Sequence, residues 1–316
     1  PPHRRGVWIG AESGRASLHT VLAFSQAAGG GKTFEHQQFG QRARALAHTF
    51  DAVGVSPATV AAKLSGLWGA QGPCQTMSLA CSSSAAAIIE AARALQLGEA
   101  DVALCGGVGA DVDPLMLAGF GLLGALSPTG RSCPFDARRD GFVVGEGAAM
   151  ALLSTSPKGA LAKLLGMGRT LDAHHLVQPH PQGDGAQRAM RQALREAGLA
   201  AVDVIQAHGT STKLNDAIEA AALRAVFGDS LSRAHVSSVK GALGHWVAGA
   251  GALGFVCALE AVCGGVALPT AGLLTPDADC DLPHVIGQAI ARPVKTALVN
   301  AFAFGGANST LILGQV

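Results

Sequence analysis

Charge is scarce in this chain. Only 14% of its 316 residues are Asp, Glu, Lys or Arg, and 23 basic residues against 22 acidic ones leave a formal net charge of +1. So balanced a composition gives no global signal for nucleic acid or for an anionic membrane surface. No CxxC pair occurs among the seven cysteines, so the usual zinc-ligand spacing is missing and a metal site is not expected. Without regular spacing or a signal peptide, those cysteines read as reduced thiols of a cytoplasmic protein rather than as a disulfide framework. What the chain has instead is apolar bulk. It is 49% hydrophobic, enough at this length for an extensive core in one large duplicated domain or in two.

Four partial motifs are discounted. Gly241 to Leu259 is an uncharged run long enough to span a bilayer, but it is mostly Gly and Ala and contains His245, so a buried helix is expected rather than a membrane span. Gly119, Gly121 and Gly124 satisfy GxGxxG, yet Pro128 and Gly130 interrupt any helix that would follow. GGGKT at Gly29 to Thr33 resembles a phosphate loop, but Gln26 stands where its first glycine belongs. His174, His175 and His180 sit beside Pro179 and Pro181, in a loop without the spacing of a helical ligand pair.

Three sites remain, each set in small residues: Cys81 in SLACSSSAAA, His208 in AHGTSTKLND and His245 in VKGALGHWVAGAGA. Each follows a run that reads as a buried strand, so a turn can present its side chain at the carboxyl edge of a sheet. Alone, Cys81 would read as a packed core thiol. Its context says more, because SSSAAAIIEAARALQ suits a helix over about 82–96 and puts the thiol at that helix's amino end. Free amides and the helix dipole favour thiolate there. The segment VSSVKGALGHWVAGAGALGFVCALEAVCGG repeats the plan of TMSLACSSSAAAIIEAARALQLGEADVALCGG: polar strand end, turn, small-residue helix, then Cys-Gly-Gly. This predicts an internal duplication in which Cys81 and His245 hold related places and can meet.

With these residues quoted, the chain resembles the β-ketoacyl synthases, the Cys-His-His condensing enzymes of fatty acid and polyketide synthesis. The likeness rests on ACSSS, on FDARRDGFVVGEGAAM from Phe135 to Met150, on HGTST from His208 to Thr212, on KGALGH from Lys240 to His245, and on NAFAFGGANSTLIL from Asn300 to Leu313. It implies an α/β, thiolase-like fold: duplicated halves, mixed five-stranded sheets and helices sandwiched between them in an αβαβα order. The expected division is 1–155, carrying the nucleophilic Cys81, and 156–316, carrying both histidines. Part of the family's usual N-terminal segment, including its first core strand, is not found before GVWIGAESG, and the chain starts Pro1-Pro2-His3.

The resemblance also implies roles. Cys81 takes an acyl group from the phosphopantetheine arm of an acyl carrier protein, and His208 and His245 serve the malonyl half-reaction. Lys240 and Glu219 match the supporting charged pair; on the residues alone an ordinary solvated ion pair fits as well as a site pair, and the resemblance favours the site. The amides of Cys81 and Phe304 form the oxyanion hole, and Phe304 with Gly305 and Gly306 forms a gate. Asp111, Met116 and Phe120 fall on the stretch that lines the acyl tunnel, which predicts a shortened or partly polar pocket; the alternative has Asp111 at a subunit interface and Met116 merely packing the core. No bound cofactor is expected, and the partners are an acyl carrier protein and a second subunit, identical or synthase-like. Two other classes stay open: another thiolase-fold acyltransferase, and a non-catalytic chain-length subunit, against which Cys81 itself argues.

Overall fold

The computed structural model describes residues 1–12, 14, 17–29, 33–49 and 51–316; Gly30, Gly31 and Lys32 of the phosphate-loop-like run lie outside the described residues. The first half contains β1 (Arg5–Gly10), α1 (Leu18–Ala27), α2 (His36–Ala45), α3 (Ala58–Trp68), β2 (Cys74–Met77), α4 (Ser83–Gln96), β3 (Val102–Ala110), α5 (Pro114–Leu122) and β4 (Glu146–Ser154). Its sheet runs β2-β1-β3-β4, with β2 and β3 parallel to β1 and β4 antiparallel to β3.

The second half contains β5 (Lys163–Leu171), α6 (Asp184–Ala197), β6 (Val204–Gln206), α7 (Lys213–Phe227), β7 (His235–Ser237), α8 (Lys240–Leu243) and α9 (Ala250–Gly264). A short ribbon of β8 (Val266–Ala267) and β9 (Ile290–Ala291) follows, then β10 (Thr296–Phe302) and β11 (Ala307–Gly314). This sheet runs β5-β11-β10-β6-β7; β6 is parallel to both β10 and β7, whereas β11 is antiparallel to β10 and β5.

Read from the other edge, β7-β6-β10-β11 repeats the order and senses of β2-β1-β3-β4. The duplication seen in the sequence is therefore a repeat of topology, and β2–Cys81–α4 corresponds to β7–His245–α9. One expectation differs. Among the described residues the first sheet has four strands, because nothing pairs with β4 where β5 pairs with β11. A second difference is that β2 is a partly exposed edge strand, whereas β6 and most of β7 are buried.

The layer order follows from which helices must be apolar all round. α4 and α9 contact each other and both sheets, so small apolar residues occupy nearly every face. They approach closely: a Cβ at Gly251 would lie 2.8 Å from the Ala85 Cβ, which excludes any larger residue without moving a helix. Of the apolar stretch Val247–Gly264, 67% is buried within the protein, as a sandwiched helix requires. α3 packs outside the first sheet and α6 and α7 outside the second, completing the αβαβα sandwich. Gly119 and Gly121 lie inside α5 and Gly124 in the turn after it, so they do not form a strand-to-helix dinucleotide turn.

Candidate active site

Cys81 stands between the end of β2 and the start of α4. Ala80, just before it, has φ +47°, a left-handed conformation that costs an L-residue roughly 1–2 kcal/mol. The turn is held by its neighbours. Ala80 N–H donates to Glu12 Oε1 at 2.8 Å, and Leu79 N–H donates to Ser83 Oγ at 2.8 Å. The three serines after the cysteine tie the helix start to three places: Ser82 Oγ donates to Ser309 Oγ of β11 at 2.7 Å, Ser83 Oγ lies 3.1 Å from Glu12 Oε1, and Ser84 Oγ accepts from Ala252 N–H of α9 at 2.9 Å.

His245 follows α8 and pairs with the strand-like segment before β4. Its N–H donates to Val143 O at 2.8 Å and its carbonyl accepts from Gly145 N–H at 3.0 Å. Val247, at φ +40°, turns its N–H onto His245 Nδ1 at 3.2 Å. An amide can only donate, so Nδ1 accepts and Nε2 carries the ring proton. That Nε2–H faces Cys81 Sγ at 3.1 Å.

His208 follows β6, and its peptide is gripped at both ends. Glu219 of α7 accepts His208 N–H and Gly209 N–H, each at 2.8 Å, while Lys240 Nζ donates to the His208 carbonyl. The same ammonium lies 3.5 Å from His208 Nδ1, which again leaves the proton on Nε2. Glu219 and Lys240 thus both lie beside His208 and act on its peptide. The two imidazoles stand edge to face, with centroids 5.5 Å apart.

The site atoms of Cys81, His208 and His245 all lie within 4.8 Å of one another, and all three residues are buried. Sulfur and two imidazoles are a donor set that suits zinc. The tautomers oppose it, because each Nδ1 faces a donor and each Nε2 therefore presents a proton rather than a lone pair.

Burial sets the protonation states. It pushes the Cys81 thiol up to about 12, and the opposing pull of the Lys240 charge does not overcome it. Burial at this position thus works against the lowering expected from the amino end of α4. Burial also drives both imidazoles well below their ordinary range, with Lys240 adding to the effect, so both are neutral. Glu219 is raised to about 7 and Lys240 lowered to about 8, each chiefly by burial.

These groups open onto a cavity of about 360 Å³, lined among others by Phe120, Thr210, Thr212, Phe302 and Phe304. Phe120 and Phe142 form one apolar wall: their rings meet edge to face at 5.2 Å, and Phe142 meets His245 in the same way at 5.2 Å. Met116 packs against this cluster from α5, which Asp113 caps by accepting Leu115 N–H at 2.9 Å. Asp111 lies elsewhere. It is buried at a smaller cavity of about 190 Å³ that it shares with Glu12, Ser56 and Val108, so it adds no acidic group to the pocket beside Cys81.

Phe304, Gly305 and Gly306 form one short turn at the mouth, where both glycines have φ +78°. The loop after β5 holds it: Gly305 N–H donates to Leu176 O at 2.7 Å, and Asn308 Nδ2 donates to Asp172 Oδ1 at 2.8 Å. The histidines of that loop serve its own backbone. His175 Nδ1 accepts from Val177 N–H and Gln178 N–H, both at 3.1 Å, and His174 packs against His180.

Two supporting residues carry no assignment in the sequence reading. Asp216, fully buried, accepts from the amides of Thr210, Ser211 and Phe135. Arg139, 2% exposed, donates to the carbonyls of Thr212 and Lys213 and to Asp277 at 2.6 Å. They explain two of the motifs physically: FDARRDG is the brace behind the HGTST loop. A buried Arg and a buried Asp look alike in sequence whether they touch substrate or backbone, so only the fold reveals the brace.

Comparison with known proteins identifies the family. The β-ketoacyl synthase N-terminal domain matches residues 2–158, and the β-ketoacyl synthase C-terminal domain matches residues 161–273. A curated relative, the 3-oxoacyl-[acyl-carrier-protein] synthase 2 of Rhizobium meliloti (strain 1021), is 40% identical over 257 residues, which are 77% of this chain and 61% of that protein. The chain spans less than two thirds of the length of the curated relatives it matches. Among solved structures, a type II polyketide ketosynthase bound to a hexaketide and in complex with its acyl-carrier protein superposes with TM-score 0.83 at 28% identity, covering 100% of this chain and 79% of that one. The ishigamide ketosynthase/chain length factor gives TM-score 0.82 at 31% identity, covering 99% of this chain and 76% of that one.

Proposed function

This chain belongs to the β-ketoacyl synthase family, and we propose that it catalyses decarboxylative condensation of an acyl group held on Cys81 with a malonyl thioester carried by an acyl carrier protein. The observation that carries this reading is the pair of neutral imidazoles whose Nε2–H groups share one buried pocket with the Cys81 sulfur. Two fixed donors suit a carbonyl oxygen that gains negative charge.

In the first half-reaction Cys81 Sγ attacks the acyl thioester carbon. The new bond to Sγ forms, the bond to the pantetheine sulfur breaks, and that sulfur leaves as a thiol with the proton Cys81 gives up. The amides of Cys81 and Phe304 are assigned to the oxyanion of this step. In the second, the malonyl thioester carbonyl sits against His208 and His245. Its carbon–carbon bond to the carboxylate breaks, carbon dioxide leaves, and the electron pair becomes an enolate held by the two N–H donors. The enolate carbon then attacks the acyl-Cys81 carbonyl, a carbon–carbon bond forms, and Cys81 sulfur is released and takes up a proton.

Lys240 supports the His208 tautomer as an ammonium ion, and its pKa is lowered to about 8 by burial. The charged form that holds Nδ1 therefore prevails below about 8 and is lost above it. Release of carbon dioxide from malonyl carrier protein is expected to fall as pH rises through about 8, and that falling limb should vanish in Lys240→Met. A limb unchanged in the variant would remove Lys240 from this role.

Phe120 lines the cavity and Met116 packs behind it, and both are assigned to the end of the acyl pocket, which their size is expected to shorten. Acylation of Cys81 by short, long, unsaturated and aryl acyl carrier proteins is expected to favour the shorter or flatter groups in the parent, and Met116→Gly is expected to admit longer chains. Preference for long saturated chains in both proteins would refute the assignment. The partners proposed are an acyl carrier protein and a second synthase-like subunit, identical or not. The two solved relatives support this, one being bound to its acyl-carrier protein and the other a ketosynthase with a chain length factor.

A further inference from the structure

Among the described residues, Glu12 is the carboxylate that braces the turn presenting Cys81. It follows the end of β1, the strand between β2 and β3, so it rises from the same sheet edge as the turn. Its Oε1 accepts Ala80 N–H at 2.8 Å and lies 3.1 Å from Ser83 Oγ, while its Oε2 accepts from Ser78 Oγ at 3.0 Å. Residues 78, 80 and 83 flank Cys81 on both sides. Between them stands Ala80 at φ +47°, a conformation that alanine does not keep unless its surroundings impose it.

We propose that Glu12 is a positioning residue for Cys81: its carboxylate pins the left-handed Ala80 turn from both sides and so fixes the sulfur against His245 and the acyl-binding cavity. The proposal rests on the reading of Cys81 as the acyl acceptor. The arrangement has a cost, because the negative charge works against ionisation of the nearby thiol. Geometry and acidity therefore pull in opposite directions at this position, and a substitution can separate them. Gln keeps a carbonyl oxygen for Ala80 N–H and removes the charge, whereas Ala removes both.

The test measures two half-reactions in the full chain: acyl transfer from an acyl carrier protein to Cys81, followed by mass spectrometry, and carbon dioxide release from malonyl carrier protein, which depends on the histidines. In Glu12→Ala, acyl transfer is expected to fall by about 30-fold or more, the scale of misplacing a reacting group, while carbon dioxide release stays within about threefold. Glu12→Gln should restore acyl transfer to within about threefold of the parent and shift the pH profile of Cys81 alkylation downward. Adding Ala80→Gly to Glu12→Ala should recover part of the loss, because glycine holds φ +47° without a brace.

Equal loss of both half-reactions in Glu12→Ala, with no recovery on adding Ala80→Gly, would mean a general structural role and overturn the proposal. Acyl transfer undiminished in Glu12→Ala, or Glu12→Gln as impaired as Glu12→Ala, would overturn it as well. If the parent protein itself takes no acyl group on Cys81, it is the condensing reading that fails, and the parent lane of the same experiment reports this separately.

Discussion

Cys81→Ala is expected to lose acyl transfer and condensation by about 10³-fold or more, the scale seen when a covalent nucleophile is deleted. The reason is bond-making: without Sγ no thioester can form, and among the described residues no other cysteine lines this cavity. Cys133, Cys105 and Cys280 are buried outside the cavity that Cys81 lines. Malonyl decarboxylation is expected to persist, since both Nε2–H donors keep their supports in Val247, Lys240 and Glu219. A Cys81→Ala protein that still lengthened acyl chains would end the account of the nucleophile.

His208→Ala and His245→Ala are expected to show the reverse preference. Each removes one of the two donors assigned to the enolate oxygen, and loss of a preorganised donor of this kind costs about 10²–10³-fold in rate. Acyl transfer should suffer less, because neither ring accepts the Cys81 proton: both Nε2 atoms already carry one. His245→Ala should slow acyl transfer more than His208→Ala does, because its Nε2 is the group 3.1 Å from Sγ. Measured as carbon dioxide release against formation of acyl-Cys81, equal loss of both half-reactions in either variant would point to a scaffold role.

The duplication was legible because Cys81 and His245 sit in segments that share a strand end, a turn and a small-residue helix, and the repeated strand order bears that out. α4 at Ser83–Gln96 falls within a residue of the helix read over about 82–96, since Ala-rich sequence without Gly or Pro has few alternatives. The resting state of the thiol was not legible. A helix amino end favours thiolate, but how deeply the sulfur is buried depends on Phe120, Phe142 and Val247 arriving from distant segments, and burial prevails.

Asp111 shows a related limit. Counting along the chain puts Asp111 and Phe120 on one stretch, yet Asp111 follows β3 while Phe120 lies in α5, and the two line different cavities. The supports of Cys81 were hidden for another reason. SSS after the cysteine reads as a helix start, but Ser82, Ser83 and Ser84 each bond to a different segment, around Ser309, Glu12 and Ala252. Sequence spacing does not encode partners that far apart.

The central claim is that Cys81 carries the acyl group and the two histidines act on the malonyl unit. Its most direct test is intact-protein and peptide mass spectrometry after incubation with a panel of acyl carrier proteins, with malonyl carrier protein then added. The account predicts an acyl adduct confined to the peptide containing Cys81, discharged as a β-ketoacyl product with release of carbon dioxide. An adduct on another residue, or acyl-Cys81 that malonyl carrier protein leaves untouched, would contradict it.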